Sequence, residues 1–127
     1  MKKIMAEISI GELLDKITIL KIKKIKIKDK DKIKLIDKEL KSLNETLKLN
    51  VSLDEKVLTL MLRLENVNKK LWDIENQKRE HEKIKKFDDK FISLSRGVYK
   101  YNDQRAEIKL EINNYLGSNI KEVKSYS

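Results

Sequence analysis

Between Phe91 and Asn113 the apolar positions Phe91, Leu94, Val98, Tyr101, Ile108 and Ile112 recur at heptad spacing, and Arg105 fills the slot between Tyr101 and Ile108. A guanidinium on the buried seam of a helix needs a carboxylate, a carbonyl or an anionic ligand, because an unpaired buried charge is too costly to keep. Arginine is also scarce. The chain holds 26 lysines but only four arginines, Arg63, Arg79, Arg96 and Arg105. Where lysine is the default cation, an arginine marks a position that uses the planar five-donor fork.

Further polar residues that could carry chemistry lie around Arg105. Trp72, Glu75 and Arg79 lie on the segment before Phe87, and Arg96, Tyr99, Asn102, Asp103 and Arg105 on the segment after it. If the chain turns tightly near Phe87, the two segments run antiparallel and residues whose numbers add to about 174 share a height. Trp72 then faces Asn102 and Asp103, Glu75 faces Tyr99, Arg79 faces Arg96, and Arg105 comes near Asn68. These nine residues form a predicted polar and aromatic layer that reads in two ways. It is a pocket in which Arg96 and Arg105 receive an anion between Trp72 and Tyr99, or it is a network that fixes helix register, with Glu75 or Asp103 neutralising Arg105. The second is the simpler reading. A secondary group, Glu12, Asp15 and Lys16, sits beside an apolar stripe; its carboxylates could serve acid–base chemistry, but a capping acid with a surface partner explains them more plainly. His81 has no second histidine at helical spacing and reads as solvated. The glycines at 11, 97 and 117 are too scattered for a phosphate-cradling loop.

The elements that must position these residues are helical. The 127 residues contain no proline, three glycines and 40 % charged side chains, a profile of long helices with solvated outer faces. Ser9, with Glu12 three residues on, predicts the start of a first helix running from Ile10 to Lys28 after an extended arm over residues 1–8. The stretch from Asp29 to Lys32 interrupts the apolar phase, as a kink or as a hairpin. Ile33, Ile36, Leu40, Leu43 and Leu47 then form a seam reaching Lys48. Ser52 with Glu55 predicts the cap of a third helix, Leu53 to Lys85, along Val57, Leu60, Leu64, Val67, Leu71 and Ile74. Asp88 caps a fourth that ends at Leu116 before Gly117, and residues 117–127 form a tail. Gly97 inside that helix costs about 1 kcal/mol relative to alanine and implies a close helix approach or, less often, the approach of a ligand. The expected fold is one all-α domain: an elongated, coiled-coil-like antiparallel bundle of three to four helices with a long hairpin over residues 53–116.

Composition narrows the function classes. With no cysteine and one histidine, disulfides, thiolate chemistry and the usual zinc sites are excluded, and no metal or cofactor is expected. No apolar run is long enough to span a bilayer, and the N-terminus lacks a signal-peptide pattern, so a cytoplasmic setting is expected. The net charge of +9 admits nucleic acid as a partner, but lysine, isoleucine and asparagine dominate as they would under AT-rich codon usage, and the lysines alternate with 21 acids. The leading expectation is a non-enzymatic, self-associating interaction or scaffold module, with an anionic small-molecule binder or a small all-helical enzyme built on the polar layer as the alternative and nucleic-acid binding third.

The segments SIGELLDKITILKIK (Ser9 to Lys23), LENVNKKLWDIE (Leu64 to Glu75), FISLSRGVYKYNDQRAEIKLEIN (Phe91 to Asn113) and LGSNIKEVKSY together resemble a bacterial family known as domain of unknown function 6165. The resemblance runs through most of the chain in order. It implies a helical fold and no assigned activity. Members carry Asp-Pro where this chain has Asp29-Lys30; the proline would make Asp29 a helix boundary, and its absence here leaves both the kink and the hairpin open.

Overall fold

A computed structural model describes residues 2–124. Four helices follow one another, α1 (Ile10–Lys26), α2 (Lys30–Asn50), α3 (Glu55–Lys83) and α4 (Asp89–Leu116). Among the described residues there is no strand, and the segments 2–9 and 117–124 are non-helical. Met1 and the last three positions of the expected tail, Ser125 to Ser127, lie outside the described residues.

The break at Asp29 is a hairpin. Asp29 accepts from the backbone N–H groups of Asp31 and Lys32 at 2.9 and 3.1 Å, satisfying donors that an unbroken helix would bond internally. The first helix therefore stops at Lys26 rather than Lys28. The cap of α3 is Asp54 rather than Ser52, and α3 begins at Glu55. Asp54 accepts from Val57 N–H at 2.8 Å, and that start sets Val57, at 0 % exposure, into the core. Asp88 caps α4 and Gly117 ends it in the left-handed conformation, as the sequence implies.

α1 is the central element. It packs against each of the other three helices, α3 and α4 pair along their length, and α2 approaches the bundle through α1. Leu13, Leu14 and Ile17 of α1 meet Leu47 of α2, Val57 to Leu71 of α3, and Ile108 and Ile112 of α4 in one core. Arg63 reaches Glu111 across the α3–α4 hairpin at 2.9 Å, the height the tight-turn rule assigns. Gly97 is where the two helices come close, since a Cβ there would stand 3.2 Å from Ile74 Cδ1.

The turn between α3 and α4 uses a signal that composition hides. Lys85 takes the left-handed conformation with φ 55°, a place where glycine is the usual occupant. Lys86 N–H returns to the His81 carbonyl at 3.0 Å and Lys85 N–H to Glu82 at 3.2 Å, the paired bonds that close a helix C-terminus. His81 is not solvated as its sequence context implied. Its side chain is 16 % exposed, its Nδ1–H donates to the Lys86 carbonyl at 2.8 Å, and its ring lies 5.9 Å from that of Phe91. The same ring that seals the turn thus leaves the seam polar at that end.

Candidate functional site

Gly11 allows α1 to lie directly on α4. A Cβ at residue 11 would stand 2.6 Å from the Lys109 carbonyl oxygen, closer than packed atoms tolerate. Two hydrogen bonds fasten this crossing: Gly11 N–H to Asn113 Oδ1 at 2.7 Å and Ile10 N–H to Ser118 Oγ at 3.1 Å. They satisfy two of the orphan donors at the start of α1, and Ser9 Oγ takes a third from Glu12 N–H at 3.1 Å. Glu12 does not complete the reciprocal cap. Its carboxylate turns to α4.

One turn further on, Asp15 meets Arg105. Asp15 is fully buried and is no surface partner. It accepts from Arg105 Nε at 3.0 and 3.1 Å and from Arg105 Nη2 in a short contact. Asn68 Nδ2 of α3 donates to Asp15 Oδ1 and to Thr18 Oγ1, both at 2.9 Å, and Thr18 donates to the Asp15 carbonyl at 2.8 Å. Arg105 therefore pairs with the first helix, not with Glu75 or Asp103 as the two-helix reading expected. Height along the hairpin was correct. What that reading lacked was α1, which covers the face where Arg105 points.

Lys109, one turn after Arg105, completes the cluster. Its side chain is 7 % exposed, and its Nζ lies 2.7 Å from Glu12, 2.9 Å from Glu122 of the tail and 3.9 Å from Asp15. Burial lowers the affinity of both cations for their protons, and the carboxylates more than reverse it. For Arg105 the compensation comes first from Asp15, and for Lys109 from Glu12 and Glu122, so both hold their protons more tightly than in water.

The other predicted residues divide among separate faces. Asn68, Trp72, Glu75, Arg79 and Arg105 line one cleft of about 320 Å³ with Ile19, Ile22 and Leu71. Asn102 lies beside Arg105 Nη1 at 3.5 Å, and Asp103 pairs with Lys124 at 2.8 Å. Arg96 and Tyr99 are elsewhere. They line an open groove of about 600 Å³ with Ile74, Ile92, Gly97 and Tyr101. Lys16 stays on the surface, 3.8 Å from Glu12.

The residues that sequence reasoning missed are Thr18, Lys109, Asn113 and Glu122. Lys109 carried a usable signal, because it lies four residues after Arg105 and so shares its face. It was lost among 26 lysines. Chemically, the cluster is an ion-pair network: the arginine donors aimed at Asp15 are engaged and the lysine is held between three carboxylates, while the buried Nδ2 of Asn113 has no hydrogen-bond partner. Comparisons with protein-family models, with curated proteins and with solved structures find nothing that matches this chain.

Proposed function

We propose that the chain is a non-catalytic helical interaction module that pairs with a second copy of itself along the outer side of α4. The observation that carries this reading is an apolar line left open there. Ile92, Tyr99 and Leu110 are 53 %, 60 % and 43 % exposed, and their spacings of seven and eleven residues put them on one side of the helix over about 27 Å. Arg96 and Asp103 flank the line. If a second α4 runs antiparallel with Tyr99 at the two-fold axis, residue n faces residue 198 − n, so Ile92 falls opposite Ala106 and Arg96 falls opposite Asn102, one residue from Asp103, which it can share with Lys124 of that copy. An isologous contact of this kind uses the same patch on both copies and brings the Arg96 of each near the Asp103 of the other.

A binder of small anions is the weaker reading. Arg79 and Trp72 do share a cleft with Arg105, but the Arg105 fork is engaged by Asp15. The likeness to domain of unknown function 6165 adds no activity to either reading, and membership in that family is itself part of the proposal.

Sedimentation across the micromolar range tests it. Wild type is expected to shift from monomer to dimer, Arg96→Glu to weaken the dimer, and Arg96→Glu with Asp103→Arg to restore it. A monomer at every concentration, or a charge exchange that restores nothing, would refute the proposed contact.

A further inference from the structure

The chain's positive charge is unevenly placed. Although lysines and acids alternate over the molecule as a whole, the fourteen residues from Lys21 to Lys34 hold eight lysines and two aspartates, a net +6 of the total +9. The fold gathers them at one end, where α1 finishes, the chain turns at Ile27 to Asp29, and α2 begins. Seven of the eight are exposed. Among the described residues, Lys24 alone of the eight pairs with a carboxylate, Asp37 at 2.8 Å.

Folding does not account for this arrangement. Lys23, Lys24 and Lys26 do favour the negative end of the α1 dipole. Lys30 and Lys32, however, stand in the first turn of α2, where cations oppose the dipole, and all eight repel one another. A codon bias toward lysine does not explain why acids thin out at the same place. Two aliphatic side chains also stand open among the lysines, Ile25 at 65 % and Leu35 at 69 % exposure.

We propose that the α1–α2 end docks on the surface of an anionic phospholipid bilayer. Lysines on long stems reach a plane of headgroup phosphates without needing a shaped partner, and each contributes to surface attraction. Ile25 and Leu35 can enter the headgroup boundary, which gives them an apolar environment that the rim of a polynucleotide does not offer. The set of cations fits the same occupant. It contains no arginine, and the tip has no aromatic ring or side-chain amide with which to read or stack on bases. No helix among the described residues is long and apolar enough to cross a membrane, so the contact is peripheral.

Flotation of the full chain with vesicles of phosphatidylglycerol mixed into phosphatidylcholine tests this. Retention is expected on the mixed vesicles, none on phosphatidylcholine alone, and loss as salt shortens the screening length. Replacing Lys26, Lys28, Lys30 and Lys32 with glutamine is expected to weaken retention by about a hundredfold or more while leaving the circular dichroism spectrum unchanged. Ile25→Ser with Leu35→Ser is expected to weaken it further at constant charge. Absence of retention on the mixed vesicles overturns the proposal. So does retention that is indifferent to Ile25 and Leu35 and is outcompeted by duplex DNA or RNA, which would assign the tip to nucleic acid.

Discussion

Replacing Arg105 with methionine isolates the buried pair. The substitution keeps the length and apolar stem of the side chain but removes every donor it aims at Asp15. The carboxylate then remains at 0 % exposure with Asn68 Nδ2 at 2.9 Å and Lys109 Nζ at 3.9 Å. Removing one partner of a buried ion pair costs roughly 3–5 kcal/mol, and the two remaining contacts place this case near 3 kcal/mol. Asp15→Leu should cost less, about 2 kcal/mol, because Arg105 is 29 % exposed and can turn to water while Lys109 keeps Glu12 and Glu122. The double variant Asp15→Leu with Arg105→Met leaves no orphaned charge. Asn68 still donates to Thr18, so the loss should stay near 2 kcal/mol, a coupling of about 3 kcal/mol. For a domain stable by about 10 kcal/mol, urea unfolding reads each step as a midpoint shift, with Arg105→Met moving it by about 2 M at constant slope. Additive single and double effects, or a loss below about 1 kcal/mol for Arg105→Met, would refute the claim that Asp15 and Arg105 are energetically coupled across α1 and α4.

The two helical glycines should respond oppositely to alanine. Gly11→Ala drives a Cβ into backbone 2.6 Å away and should cost about 1–3 kcal/mol in thermal unfolding. Gly97→Ala meets the end of the flexible Ile74 side chain at 3.2 Å and should gain up to about 1 kcal/mol of helix propensity; a Gly11→Ala variant that is no less stable would show that α1 does not rest on α4 as described. Lys85→Gly relieves the left-handed residue of the α3–α4 turn and should stabilise by about 1 kcal/mol, whereas a loss in the same denaturation assay would mean that the turn adopts another conformation. The Tyr115 hydroxyl, and then Val57 N–H, hold Asp54 below its ordinary 3.8, and Phe91 N–H is the main cause of the same shift in Asp88. A depressed carboxylate stabilises above its unfolded value and loses that contribution as pH falls through the folded one, so these caps should fail below about pH 3.8. Tyr115 is raised above 10.0 by the same bond, and Asp54→Asn should return one phenolate titration toward 10 in ultraviolet absorbance; an unchanged titration would deny the bond.

Much of this architecture was readable from residue order, and the failures have identifiable physical causes. The seams from Val57 to Leu71 and from Ile33 to Leu47 are long and periodic, so helix identity followed from spacing alone. Asp88 and Gly117 each have a single local role, and their caps were legible for that reason. Ser52 misled because serine and aspartate are both good caps, and the choice between them was made by where Val57 had to point. Lys85 was invisible as a turn residue, since nothing local distinguishes one lysine from the next. The site was legible by half. Arg105 announced itself through a broken heptad, but its partner lay on another helix with no sequence relation to it. A two-helix register argument cannot name such a partner. Asp15 could only be found once the hairpin at Asp29 brought α1 back into the bundle.

The clasp between α1 and α4 also bears on the order in which the chain folds. Asp15 and Arg105 are 90 residues apart, and Gly11 and Asn113 are 102 apart, whereas α3 and α4 meet across a five-residue turn. Closing long loops is entropically slower than zipping a hairpin. During synthesis α1 is made before α4, yet its buried carboxylate cannot meet Arg105 until α4 exists. The expected sequence is therefore inverted relative to the chain: the α3–α4 hairpin forms early, and the N-terminal helix docks last, as the step that commits the domain. Pulsed hydrogen exchange during refolding would read this directly, with amides of Leu64 to Leu71 protected before those of Leu13 to Ile17.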